Sequence, residues 1–311
     1  MNAIREIVTR ITRARKMYGF SYEYAEYTDQ KASDIIKAEL LAAKPSMICR
    51  FGMNELDCVI GYCNPPSFGN YLKYFCSEIS SVGWSKGAKE HMANNAGFFP
   101  VTSESLSKFS KLMIEEMKFI DILGTWMKQE SFFSDRLKQV RRVEIKDLEP
   151  FYHTNPWSVA LENKRVLVIH PFEESIREQY KKREFLFSDK RVLPCFELQT
   201  IKAVQSIADN RSKFKSWFEA LDFMKQEISY RDFEIAIIGC GAYGFPLASF
   251  VKKMGKKAIH IGGATQLLFG IKGSRWEERP FYQNLFNEHW IKPLAADYPE
   301  GYKRVENGCY W

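Results

Sequence analysis

No apolar run in this sequence reaches the roughly 18 residues that span a bilayer. No C-x-x-C pair occurs either. The seven cysteines, Cys49, Cys58, Cys63, Cys76, Cys195, Cys240 and Cys309, are odd in number and scattered. That pattern argues against a zinc ribbon or a disulfide framework and for reduced thiols. No stripe of Lys and Arg interleaved with aromatics runs along the chain, so no nucleic-acid partner is expected. The net charge of +7 suits anionic ligands or an anionic membrane surface instead. The opening "MNAIREIVTRITRARK" lacks the apolar core of a secretory signal, which leads us to expect a cytoplasmic protein. There is no low-complexity linker and no internal repeat. We therefore expect an N-terminal segment, 1–30, followed by one continuous domain, 31–311.

Of the 311 residues, 45% are hydrophobic, ample for a packed core. Within residues 2–17, Ile4, Ile7, Val8 and Ile11 share one face of a helix, and Arg5, Arg10, Arg13, Arg15 and Lys16 supply charge. That helix can dock on the body of the protein or lie peripherally on anionic lipid. Farther on, "KASDIIKAELLAAKPS" reads as a helix ended by Pro45 and "SMICRFG" as a buried strand. "NELDCVIGY" starts a helix, and residues 64–140 read as mostly helical, with "FIDILGTW" a strand. "KRVLVIHPF" and "KRVLPCFEL" read as strands around the helical "ESIREQYKKREFLF". "SKFKSWFEALDFMKQEIS" is an amphipathic helix. Strands alternating with helices predict an α/β fold: a Rossmann-like, doubly wound, mainly parallel sheet with helical insertions.

Two stretches carry chemistry. "FEIAIIGCGAYGFPLASFVKKMGKKAIHIGG" is a strand, a glycine turn, a helix and a strand, with the spacing Gly239-x-Gly241-x-x-Gly244. Such a turn lets a phosphate approach the backbone N–H groups of a helix N-terminus, with Tyr243 beside it. A redox dinucleotide or S-adenosylmethionine site also wants an acid at the end of the next strand, to hold the ribose. "KAIHIGG" offers only His260, Gly262 and Gly263 there. A diphosphate or another anion fits better, and a ligand-free packing turn remains open.

"ICRFGMNELD" places Arg50, Gly52 and Glu55 at a strand end and helix start, with Asp57 two residues on. Arg can clamp a phosphate, Gly permits close approach, and a carboxylate can serve as base or metal ligand. Elsewhere, His170 ends a strand, Ser175 opens a helix, and Gln266, Lys272 and Arg275 follow the last strand, with Trp276 beside them. Each is a candidate for contacting an anionic ligand or its sugar. The tail "NGCYW" is expected to pack on the body.

"RFGMNE" resembles the R-F-G-D-G-E segment of the GT-D glycosyltransferases, formerly domain of unknown function 1792. The later glycine turn and "AIHIGG" resemble that family's C-terminal unit, in the same order. Together these matches frame residues 46–276. The resemblance implies transfer of a sugar from a nucleotide diphosphate donor to a glycan, glycolipid or glycoprotein acceptor, in bacterial surface-glycan or glycoprotein assembly. It also implies metal-assisted donor binding (manganese or magnesium) by a D-x-E pair. Here Met53 replaces the first acid, leaving Glu55 with Asp57 as a substitute. Metal-independent transfer, with Arg and Lys neutralising the diphosphate, is then the expectation. On this reading Glu55 is the catalytic base or donor organiser. Arg50, Gly52, Asp57, His170, Ser175, Gly239, Gly241, Tyr243, Gly244, Gln266, Lys272 and Arg275 bind the nucleotide sugar. The alternatives are an NAD- or S-adenosylmethionine-dependent enzyme and a non-catalytic nucleotide- or glycan-binding protein.

Overall fold

A computed structural model describes residues 24–76, 78–79, 81–206, 213–304 and 308–311. The amphipathic segment 2–17 lies outside them. Seven strands form one sheet: β1 (Ser46–Cys49), β2 (Ile122–Thr125), β3 (Arg141–Glu144), β4 (Arg165–His170), β5 (Glu197–Lys202), β6 (Ile235–Ile238) and β7 (Lys257–His260). Their order is β3-β2-β1-β7-β6-β4-β5, and every pairing is parallel. Among the described residues the helices of eight residues or more are α1 (Asp29–Leu41), α2 (Met53–Cys63), α3 (Phe68–Phe75), α4 (Lys86–Asn94), α5 (Ser103–Glu116), α6 (Glu173–Tyr180), α7 (Trp217–Ser229) and α8 (Gly244–Lys253).

Strand side chains alternate between the two faces. Met47, Leu123, Leu167 and Ile238 pack on one side with α2, α5, α7 and α8. Ile48, Val168, Ile237 and Ile259 pack on the other with α1, α6 and the C-terminal segment. With both faces covered, the central strands are apolar throughout, as parallel sheets require. The protein is an α/β fold built on a wholly parallel sheet, so the expected "mainly parallel" arrangement is met.

Two expected elements moved. "KRVLPCFEL" does not form a strand as a whole, because β5 starts only at Glu197. Pro194 has no N–H to give a ladder, and Tyr180 hydroxyl instead donates to the Pro194 and Phe196 carbonyls at 3.3 and 2.8 Å. The helix over "ESIREQYKKREFLF" breaks after Tyr180 and resumes over Arg183–Leu186. Strand β3 was not anticipated, because "RRVE" carries no apolar run. It is an edge strand, held by pairing to β2 and by the Arg141–Glu39 ion pair at 2.5 Å.

The chain leaves β1 and β6 toward the α2/α8 face and leaves β4 and β7 toward the other. Neighbouring connections that diverge in this way open a crevice at the carboxyl ends of the strands.

Candidate functional site

A cavity of about 380 Å³ occupies that crevice. Arg50 and Glu55 reach it from the β1–α2 connection, and Gly241 and Tyr243 from the β6–α8 turn. Gly52 and Gly239 beside them, His170 at the end of β4, and Gln266 and Arg275 after β7 complete the set of expected residues that line it. Two motifs almost 190 residues apart thus share one cavity, because β1 and β6 both flank β7.

Arg50 is half-buried. Its guanidinium lies 4.8 Å from the Trp126 ring centre, within cation–π range. Burial pushes its pKa below the usual range, and nearby Arg275 pushes the same way, with Glu55 opposing. It keeps its charge, since guanidinium does not deprotonate in proteins. A desolvated cation that forms no ion pair among the described residues attracts an anion. Arg275 donates to the Tyr310 hydroxyl at 2.9 Å and lies 4.6 Å from that ring.

Glu55 is the third residue of α2 and is buried. Burial holds its carboxyl above the ordinary carboxylate range, against the pull of its own backbone N–H and of Arg50. Gly52 is the N-cap of α2, and the Glu55 carboxylate folds back over it. A β-carbon at Gly52 would stand 2.0 Å from Glu55 Oε2. The glycine is there for the glutamate, which occupies the space a side chain would take.

The three turn glycines have three different reasons. A β-carbon at Gly239 would meet Thr265 Oγ1 at 2.4 Å, and one at Gly244 would meet the His260 ring at 2.1 Å. Both are packing glycines. Gly241 alone has a left-handed backbone, φ 56°, with open space where a side chain would stand. Gly241 lines the cavity and Gly244 does not. Tyr243 stacks on Trp217 at 4.9 Å, and its hydroxyl lies 3.0 Å from that of Ser206.

Both cavity histidines are neutral. His170 Nδ1 accepts from the Phe172 N–H at 3.0 Å, and burial pushes its pKa down to about 3. That leaves Nε2–H as its donor. His260 Nδ1 lies 3.0 Å from the Ile238 carbonyl, so Nδ1 carries the proton and Nε2 the lone pair. Burial pushes its pKa down to about 4. Gln266 Nε2 donates to the Ile271, Lys272 and Tyr310 carbonyls at 3.3, 3.2 and 3.0 Å, which ties the C-terminal segment to the cavity wall.

Four expected ligand residues do not line the cavity: Gly244, already described, and Ser175, Lys272 and Asp57. Ser175 is buried in a structural network. Its N–H and hydroxyl both donate to Asp297, at 2.8 and 2.7 Å, and its Oγ accepts from the Leu294 N–H. Lys272 lies 5.4 Å from the Phe286 ring, its backbone N–H bound to the Ile291 carbonyl. Asp57 is two residues beyond Glu55, and residues so spaced do not share a helix face. It lies beside Gln129, with burial pushing its carboxyl up to about 6. Among the described residues Glu55 therefore has no acidic partner in the cavity, and the neighbours Met53 and Asn54 are poor ligands for a hard cation. Among the described residues no group of three or more His, Cys, Asp or Glu could hold a metal. This donor set does not fit manganese or magnesium.

Sequence reasoning missed Trp126, Ser206, Tyr310 and Trp311, which also line the cavity. The tail packs on the body as expected, but its aromatics turned out to build a wall of the site. Among the described residues no helix is long and apolar enough to cross a membrane. No family model, curated protein or solved structure matches this chain.

Proposed function

We propose that the cavity binds a nucleoside diphosphate sugar and that the protein is a glycosyltransferase of the GT-D type. One observation carries this reading. Two guanidinium groups, Arg50 and Arg275, converge on the cavity beside the left-handed Gly241 turn and the start of α8. Backbone N–H groups and the helix dipole there favour negative charge, and guanidinium forks match phosphate oxygens. The end of β7 carries His260 and no acid, which weighs against a dinucleotide or S-adenosylmethionine ribose.

In sugar transfer, an acceptor hydroxyl oxygen bonds to the donor's anomeric carbon as the bond to the diphosphate oxygen breaks. Charge grows on the diphosphate. Arg50, Arg275 and the Gly241 turn stabilise it in a partly dry cavity. Glu55, ionised, takes the acceptor's proton. Its proton affinity is raised by burial, which suits a base better than an ordinary surface carboxylate. The acceptor is a glycan, glycolipid or glycoprotein of a surface-polymer pathway.

A thermal-shift screen of nucleotide sugars, NAD and S-adenosylmethionine tests the proposal, followed by sugar transfer with the binding donor. A ligand at 100 times its dissociation constant stabilises by about 2.7 kcal/mol. Stabilisation by NAD or S-adenosylmethionine alone would overturn it.

A further inference from the structure

The Arg50 side chain has a support. The indole of Trp126 lies beneath its guanidinium at 4.8 Å, and the indole N–H donates to the Phe51 carbonyl at 3.1 Å. Trp126 is the first residue after β2, where the chain turns sharply into a short helical segment, Lys128–Phe133. One buried side chain, Glu130, organises that turn. Its Oε2 accepts from the Thr125 hydroxyl. Its Oε1 accepts from the Trp126 and Met127 N–H groups, each at 3.3 Å. A single carboxyl thus gathers three donors around the residue that carries Arg50. Glu130 itself does not line the cavity.

We propose that Glu130 is the positioning residue of the anion site: it sets Arg50 through Trp126, and its charge tunes how tightly the cavity holds a diphosphate. The proposal rests on the reading that Arg50 contacts phosphate. It requires neither sugar transfer nor a particular base or sugar.

The positioning half follows from geometry. Without the carboxyl, the Trp126 and Met127 N–H groups lose their shared acceptor and the indole loses its fixed seat. Arg50, a long and rotamer-rich side chain, then has to be ordered by the ligand at a cost to affinity. The tuning half follows from electrostatics. The titratable groups facing Glu130 are Arg50 and Cys49, both from the end of β1. Burial pushes the Glu130 carboxyl up to about 7, against its three hydrogen bonds and Arg50. A bound anion raises that proton affinity further. By reciprocity, the anion binds better to the protonated form. Affinity should therefore fall as the pH rises through neutrality.

The probe is P1,P2-dimethyl pyrophosphate, whose two negative charges stay fixed between about pH 6 and 8. Its binding to the full-length protein is measured by titration calorimetry. Wild-type affinity should fall roughly threefold or more over that range. Glu130→Gln keeps an acceptor for the two N–H groups but cannot ionise, so its affinity should fall with pH clearly less than that of wild type, the remaining slope coming from the Glu55 carboxyl in the cavity. Trp126→Ala should bind roughly tenfold more weakly than wild type at every pH, and Glu130→Ala roughly tenfold more weakly than Glu130→Gln. A Glu130→Gln protein with the wild-type pH slope would overturn the tuning role. A folded Trp126→Ala protein with wild-type affinity, or a folded Glu130→Ala protein with the affinity of Glu130→Gln, would overturn the positioning role. If the probe fails to bind wild type, the anion site falls and the proposal with it. If the probe binds as described but no nucleotide sugar turns over, the proposal stands and the transferase reading falls.

Discussion

Replacing Gly52 with alanine should cost little in isolation from Glu55 and noticeably more in its presence. The backbone at Gly52, φ −81° and ψ 145°, is open to any residue, so the substitution carries no backbone strain. Removing a glycine from the unfolded chain stabilises by about 0.4–1 kcal/mol. Against this, alanine is a poorer N-cap than glycine by about 0.5–1 kcal/mol. The new β-carbon would also stand 2.0, 2.4 and 2.7 Å from Oε2, Cδ and Oε1 of Glu55. The carboxylate has to swing off its own backbone N–H, losing a hydrogen bond of about 1 kcal/mol. The net cost is about 1 kcal/mol, or about 2 °C in melting temperature for a chain of this size. In a Glu55→Ala background those three contacts are gone, and Gly52→Ala should be neutral or slightly stabilising. Urea denaturation of wild type, both single variants and the double variant gives the coupling, expected near 1 kcal/mol. Costs that add to within about 0.4 kcal/mol would show that the carboxylate does not sit over Gly52. The displaced carboxylate should also reach farther into the cavity and weaken anion binding, a readout that the stability data alone do not give.

Glu55→Gln should lower turnover at least roughly 100-fold with donor binding changed far less, and near-normal turnover would remove Glu55 from the chemistry. The base must be ionised, and its carboxyl is held above the ordinary range, so wild-type activity should rise with pH through a midpoint above that of a surface glutamate. Chelator should leave donor binding intact, because the cavity supplies guanidinium groups in place of paired acids; abolition of binding with rescue by manganese would refute this. Asp147 lies fully buried, and burial pushes its carboxyl up to about 7 from an ordinary 3.8. A raised native pKa contributes stability that is complete below about pH 4 and lost as the pH rises to 7. Asp147→Asn should therefore flatten the pH dependence of urea stability over that window, and an unchanged slope would count against the shift.

What was legible in the sequence was what local chemistry decides. Strand ends, the glycine turn and the helix start at Glu55 are set by residues within a few positions of one another. Together with the alternation of strands and helices, they located the crevice. The direction of a side chain was much less legible when distant partners set it. Ser175 looked like a helix-opening phosphate ligand, but its partner Asp297 lies 122 positions away. Tyr310 gave no local sign of a site residue. Its place against Gly263, where a β-carbon would meet its ring at 2.5 Å, and beside Arg275 depends on how the tail folds back. Asp57 was separable from Glu55 on helical geometry alone, since its spacing already put it on another face.

The two parts of the sheet meet along one line. Strands β1 to β3 come from residues 46–144 and β4 to β7 from residues 165–260, and among the described residues the only strand pairing between the parts joins β1 to β7 over three residue pairs. Arg50 hangs from one part; Gly241 and Arg275 hang from the other. A molecule gripped by all three acts as a cross-link, so its binding energy also resists separation of the halves. Occupancy should then slow hydrogen exchange along β1 and β7 more than in the outer strands β3 and β5, where the ligand bridges nothing.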